Sequence, residues 1–115
     1  MKLAIVGSRK IKDFDISKYI SKDVKCIVSG GAIGIDTIAK KYALENNIKL
    51  IEFLPDYNQY GKYAPLKRND KIIKACDMVL AIWDGKSRGT KYSIDKAKEL
   101  NKKTMIIIDV EVCNS

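Results

Sequence analysis

The chain predicts an α/β fold: a doubly wound three-layer α/β/α sandwich around a five-stranded parallel sheet in strand order 3-2-1-4-5. Three observations predict it. Five short apolar runs recur at near-even intervals along the 115 residues. The runs are continuous rather than alternating, as strands covered on both faces should be. Between them the apolar residues fall at helical spacing.

The first run, Lys2 to Gly7, ends in Gly-Ser-Arg, and Ile16, Tyr19 and Ile20 then share one helical face. Val24 to Ser29 is the second strand, which stops in Gly30-Gly31 and passes into a helix near Ile33 that carries Ile35, Ile38, Ala39, Tyr42 and Ala43 on one side. Lys49 to Leu54 is the third. A long tyrosine-rich connection, Pro55 to Pro65, follows it, and Arg68-Asn69-Asp70 opens the helix of Ile72, Ile73 and Cys76. Met78 to Trp83 is the fourth strand, with Ser93, Ile94, Ala97 and Leu100 on its helix, and Thr104 to Asp109 is the fifth. The expected order is βαβαβαβαβ, a single domain spanning residues 1–115.

With 46% hydrophobic and 31% charged residues the composition is that of a soluble globular protein. No apolar run approaches the roughly 20 residues that span a bilayer, and the N-terminal apolar stretch is too brief for a signal peptide. A cytoplasmic protein without membrane contact is expected. Cys26, Cys76 and Cys113 form no C-x-x-C pair, so neither a disulfide framework nor a zinc site is encoded. Histidine is absent, which removes Ser-His-Asp and Cys-His nucleophile systems and the usual transition-metal ligands. No metal and no cofactor are expected. The net charge of +8 is mostly lysine along helix faces such as Lys40-Lys41 and Lys102-Lys103, which a solvated surface explains better than a nucleic-acid groove. The three arginines, Arg9, Arg68 and Arg88, fall instead in loops or at helix starts, where a guanidinium fork suits phosphate or carboxylate.

In a parallel sheet all strand C-termini share one edge, where open α/β sheets bind ligands. That edge collects Gly7-Ser8-Arg9, Ser29-Gly30-Gly31-Ala32 with Gly34 and Asp36, and Asp84-Gly85 leading to Ser87-Arg88-Gly89-Thr90. Glycines followed by a helix start present backbone N–H groups to an anion. The Gly30 to Gly34 stretch has neither the dinucleotide spacing nor a Walker lysine, and a plain tight turn is its simplest alternative. Asp36 suits either the helix dipole or a ribose hydroxyl. Tyr57 and Tyr63 in the long connection suit stacking on a base or simple anchoring of the loop.

This ordered set, with Arg68-Asn69 and with Asp77 before the fourth strand, resembles the SLOG superfamily of Rossmann-like domains. That group includes the LOG ("lysine decarboxylase-like") phosphoribohydrolases and the DNA-processing protein A family; the similarity is greatest to its small single-domain YspA/YpsA-related branch and covers nearly the whole chain. The resemblance implies binding of nucleotide-derived small molecules at the strand edge, often by homodimers, with Arg68 and Gly89-Thr90 facing the phosphate. Enzymatic LOG members hydrolyse the N-glycosidic bond of a nucleoside monophosphate with an arginine matching Arg68 and a glutamate three residues after the Gly-Thr pair. Ser93 stands there in this chain, and a hydroxyl cannot supply that carboxylate.

The expected function is therefore binding of a nucleotide-derived small molecule, as a sensor or a sequestering protein, by a homo-oligomer. Arg9, Arg68 and Arg88 would neutralise phosphate, and Tyr57 or Tyr63 would cover the base. No catalytic residue is assigned. The alternatives are an N-glycosidic hydrolase using Asp84, Asp56 or Asp36, and a nucleic-acid-binding protein.

Overall fold

A computed structural model describes residues 1–109. Five strands, β1 (Lys2–Gly7), β2 (Cys26–Ser29), β3 (Lys49–Glu52), β4 (Met78–Trp83) and β5 (Lys103–Ile108), form one parallel sheet in the order β3-β2-β1-β4-β5. The helices are α1 (Ile35–Glu45), α2 (Tyr57–Tyr60), α3 (Ala64–Ala75) and α4 (Arg88–Glu99). The fold is the Rossmann-like α/β sandwich expected from the runs and their spacing.

Both faces of the inner strands are buried, which is why those strands read as unbroken apolar runs. On one face Leu3, Ile5, Ile27, Leu80 and Ile82 pack against Ile35, Ala39 and Ala43 of α1 and against Ile11, Ile16 and Val24 of the first crossover. On the other, Ala4, Val6, Val28, Val79 and Ala81 meet Ile72 and Ile73 of α3 and Ile94 and Ala97 of α4. Cys26 and Cys76 are buried free thiols in this second layer, and Cys113 lies outside the described residues.

The first crossover departs from expectation. It carries no α-helix, only a 3-10 turn at Ser17–Tyr19. Its apolar residues do reach the core, with Ile11 and Ile16 both buried. The reason is local: the Asp15 carboxylate accepts the Ser17 N–H at 3.0 Å, and the six residues 16–21 include two isoleucines and two serines, all weak helix formers. The third helix also begins earlier than predicted. Ala64 starts it and Pro65 sits in its first turn, where a missing N–H costs nothing, so Arg68 and Asn69 lie a full turn inside it.

Asp77 closes the sheet at the end remote from the loops. Its carboxylate accepts the Lys2 N–H, and its own N–H donates to the Lys2 carbonyl, both at 2.8 Å, pinning the start of β1 beside β4. Among the described residues no helix is long and apolar enough to cross a membrane.

Candidate functional site

Strand β1 lies between β2 and β4, so the chain leaves the sheet in opposite directions on either side of it. A crevice must open at the strand C-termini there. It holds a cavity of about 410 Å³, lined by Gly7 and Arg9 after β1, by Gly30, Gly31 and Ala32 after β2, by Asp36 of α1, by Tyr57 of α2, by Arg68 and Asn69 of α3, and by Ser87, Gly89 and Thr90 at the start of α4. That volume lies in the range of roughly 300–1,000 Å³ typical of small-molecule sites.

Arg68 organises the cavity. Its Nη1 donates to the Gly30 carbonyl at 2.7 Å and its Nε to the Asn69 side-chain oxygen at 2.8 Å. Asn69 in turn reaches the Gly89 carbonyl with its amide at 3.5 Å. A chain of contacts thus runs from the β2 turn through α3 to the α4 loop, and Nη2 makes no hydrogen bond among the described residues. Gly30 must be glycine for this: a Cβ there would lie 2.5 Å from Nη1.

The β2 turn is not the open anion cradle that its glycines predict. Asp36 Oδ2 accepts the Ala32 N–H at 3.1 Å, so the chain's own carboxylate occupies the place that a phosphate would take at this helix start. Burial pushes the Asp36 carboxyl above its ordinary value of 3.8, and the Ala32 N–H and the Arg68 charge only partly offset that.

The α4 loop likewise folds around a carboxylate of the chain. Asp84 Oδ1 accepts the N–H groups of Lys86 and Ser87, each at 2.8 Å, which folds the loop. Ser87 caps α4 by accepting the Thr90 N–H at 3.5 Å, and the Trp83 indole N–H donates to the Ser87 carbonyl at 3.0 Å. Burial raises the Asp84 carboxyl, but these N–H donors and the Ser8 hydroxyl outweigh it and hold Asp84 below the ordinary 3.8.

Several predicted site residues belong to the scaffold, not the cavity lining. Ser8 is buried; its hydroxyl accepts the Asp84 N–H at 3.1 Å and its carbonyl the N–H groups of Ile11 and Ile35. Gly34, at φ +79°, lies against the backbone of Ser8 and Arg9. Ser29 is fully buried, its hydroxyl without a hydrogen-bond partner among the described residues. Asp84 and Gly85 shape the loop, with Gly85 at φ +81°. Arg88 is exposed outside the cavity, and so is Tyr63, whose ring lies 5.3 Å from the Lys62 ammonium. Both were expected to touch ligand, and neither lines this pocket.

Sequence reasoning also missed part of the lining. Val6, Leu54, Pro55, Pro65, Leu66 and Ile72 supply its apolar surface. The spacing of Pro65, Arg68-Asn69 and Ile72 is one helical stripe, a signal concealed by starting that helix too late. Ser93 is there too, its hydroxyl donating to the Gly89 carbonyl at 3.2 Å. Among the described residues lining the cavity, Asp36 is the one carboxylate.

The two aspartates give opposite pH signatures. Asp84, depressed when folded, stabilises above pH 3.8, and that contribution is lost as pH falls through its folded value. Asp36, raised when folded, contributes fully below pH 3.8, and loses that contribution as pH rises through its folded value. In thermal melts from acid to neutral pH, Asp84→Asn is expected to lower the neutral Tm and flatten the acid limb. Asp36→Asn, still able to accept from Ala32, is expected to hold or raise the neutral Tm. Parallel Tm profiles for both variants and the parent chain would contradict these assignments.

The family model of DNA recombination-mediator protein A matches residues 1–60, half of the chain, spanning β1 to α2. Neither a curated protein nor a solved structure matches the chain.

Proposed function

Because the chain belongs to the DNA recombination-mediator protein A family, within the SLOG superfamily, we propose that it binds a nucleotide-derived anion in the cavity at the strand edge. The observation that carries this reading is the convergence of Arg68, Arg9 and the start of α4 on one cavity. A phosphate placed between Arg68 and Gly89-Thr90 meets a guanidinium fork and a helix N-terminus together. A base then reaches Leu54 and Tyr57, both of which are exposed at the cavity and gain burial when covered. The role that fits is sensing or sequestering a nucleotide signal.

Two other readings have one observation each. Asp36, the lining carboxylate with a raised pKa, is the candidate acid for hydrolysis of an N-glycosidic bond. The matching family's name favours nucleic acid. One experiment separates the three. The purified chain is incubated with a pool of nucleotides, washed, and the retained fraction identified by mass spectrometry. Retention of an intact nucleotide is expected. Recovery of free base and sugar phosphate would replace binding with hydrolysis, and Asp36→Asn should then block it. Retention of nothing, together with oligonucleotide binding that falls steeply with salt, would transfer the function to nucleic acid.

A further inference from the structure

The outer edge of β5 is built differently from the rest of the sheet. β5 is the last strand in the order, with β4 on one side and no further strand among the described residues on the other. Helix α1 packs on β1, β2 and β3, and α4 is the helix that packs on β5. Met105 is 37% exposed, Ile106 36% and Ile108 55%. From Thr104 to Ile108 the strand has no charge, proline or glycine. Edge strands are ordinarily protected by such residues, because unpaired N–H and C=O groups invite another strand.

The Asp109 N–H donates to the Trp83 carbonyl at 2.8 Å, toward β4. Backbone groups alternate along a strand, so Met105 and Ile107 also face β4, while Thr104, Ile106 and Ile108 turn their N–H and C=O groups outward. We propose that this edge is the contact of a symmetric dimer in which two copies of β5 pair antiparallel about Ile106. Ile106 then forms the hydrogen-bonded pair with itself across the twofold axis, both N–H···O bonds made between the two copies. The same register sets Lys103 of each copy opposite Asp109 of the other, Thr104 opposite Ile108, and Met105 opposite Ile107. Opposite charges meet at both ends and apolar side chains between them. This self-complementarity selects a second copy of the chain over an unrelated extended peptide, which need match neither end. The contact is separate from the cavity, whose lining includes no β5 residue.

The test is the mass of the full chain by analytical ultracentrifugation across concentration. The parent chain is expected to be a dimer. Ile106→Lys places two like charges on the axis, and its mass should halve while its circular dichroism spectrum is kept. Lys103→Glu should weaken the dimer, and Lys103→Glu combined with Asp109→Lys should restore it. Amide exchange at Thr104, Ile106 and Ile108 of the parent chain should slow as concentration rises. A parent chain that stays monomeric at its highest soluble concentration would overturn the proposal. So would a dimer indifferent to Ile106→Lys, or a charge swap that restores nothing. A monomer that instead captures extended peptides along this edge would assign it to strand addition from another protein.

Discussion

Gly34→Ala is expected to cost roughly 3 kcal/mol or more of stability, enough to lower the Tm by about 10–20 °C in a domain of this size. Two penalties combine. Gly34 stands at φ +79°, which strains any residue with a Cβ, and that Cβ would lie 2.6 Å from the Cα and carbonyl oxygen of Arg9 and from the Ser8 carbonyl oxygen. Backbone cannot rotate away as a side chain can, so the β1 loop or the start of α1 must shift. Gly85 is the control. It has φ +81° but nothing within 4 Å of the added Cβ, so Gly85→Ala should show the conformational penalty alone, about 1 kcal/mol. Thermal or denaturant unfolding of the two variants reads the difference. Equal losses would mean that the contact between the β1 loop and α1 is not what demands glycine.

Arg68→Ala is expected to weaken retention of the bound nucleotide about 100-fold, or about 2–3 kcal/mol, the loss of a charge-assisted contact at a site with few cations. Stability should fall as well, because the Gly30 carbonyl and the Asn69 side chain each lose a partner. Arg68→Lys should recover only part of the affinity, since an ammonium cannot bridge Gly30 and Asn69 while also reaching a phosphate. Gly30→Ala supplies an independent approach to the same contact. It leaves the arginine in place but crowds Nη1 at 2.5 Å, so it should displace the guanidinium and impair binding. Isothermal titration with the nucleotide identified from the pool checks all three. Unchanged affinity in Arg68→Ala would remove the phosphate from α3.

The strands were legible because a parallel sheet leaves its inner residues no polar face. Lys2–Gly7 and Met78–Trp83 run as bounded in the sequence, and β2, β3 and β5 differ only at their ends. The first crossover was misread because burial of Ile11 and Ile16 needs no helix, only a chain that passes close to the sheet. The site was legible as a region and not residue by residue. A glycine in a strand-to-helix turn looks the same in sequence whether it lines the cavity, as at Gly31, or admits another stretch of backbone, as at Gly34. Carboxylates divide in the same way: Asp36 reaches the cavity, whereas Asp84 spends its oxygen on Lys86 and Ser87. Arg68 and Arg88 differ only in where their helices point them, which local sequence does not encode.

The indole of Trp83, the chain's single tryptophan, is tied to the Ser87 carbonyl in the loop that opens α4. Indole emission depends on the polarity and hydrogen bonding around the ring, so a shift of that loop alters the light emitted by the unlabelled protein. The turn that contributes Ser87, Gly89 and Thr90 to the cavity thereby carries an intrinsic optical gauge of its own position. With no second tryptophan to dilute the signal, a colour change reads out one loop.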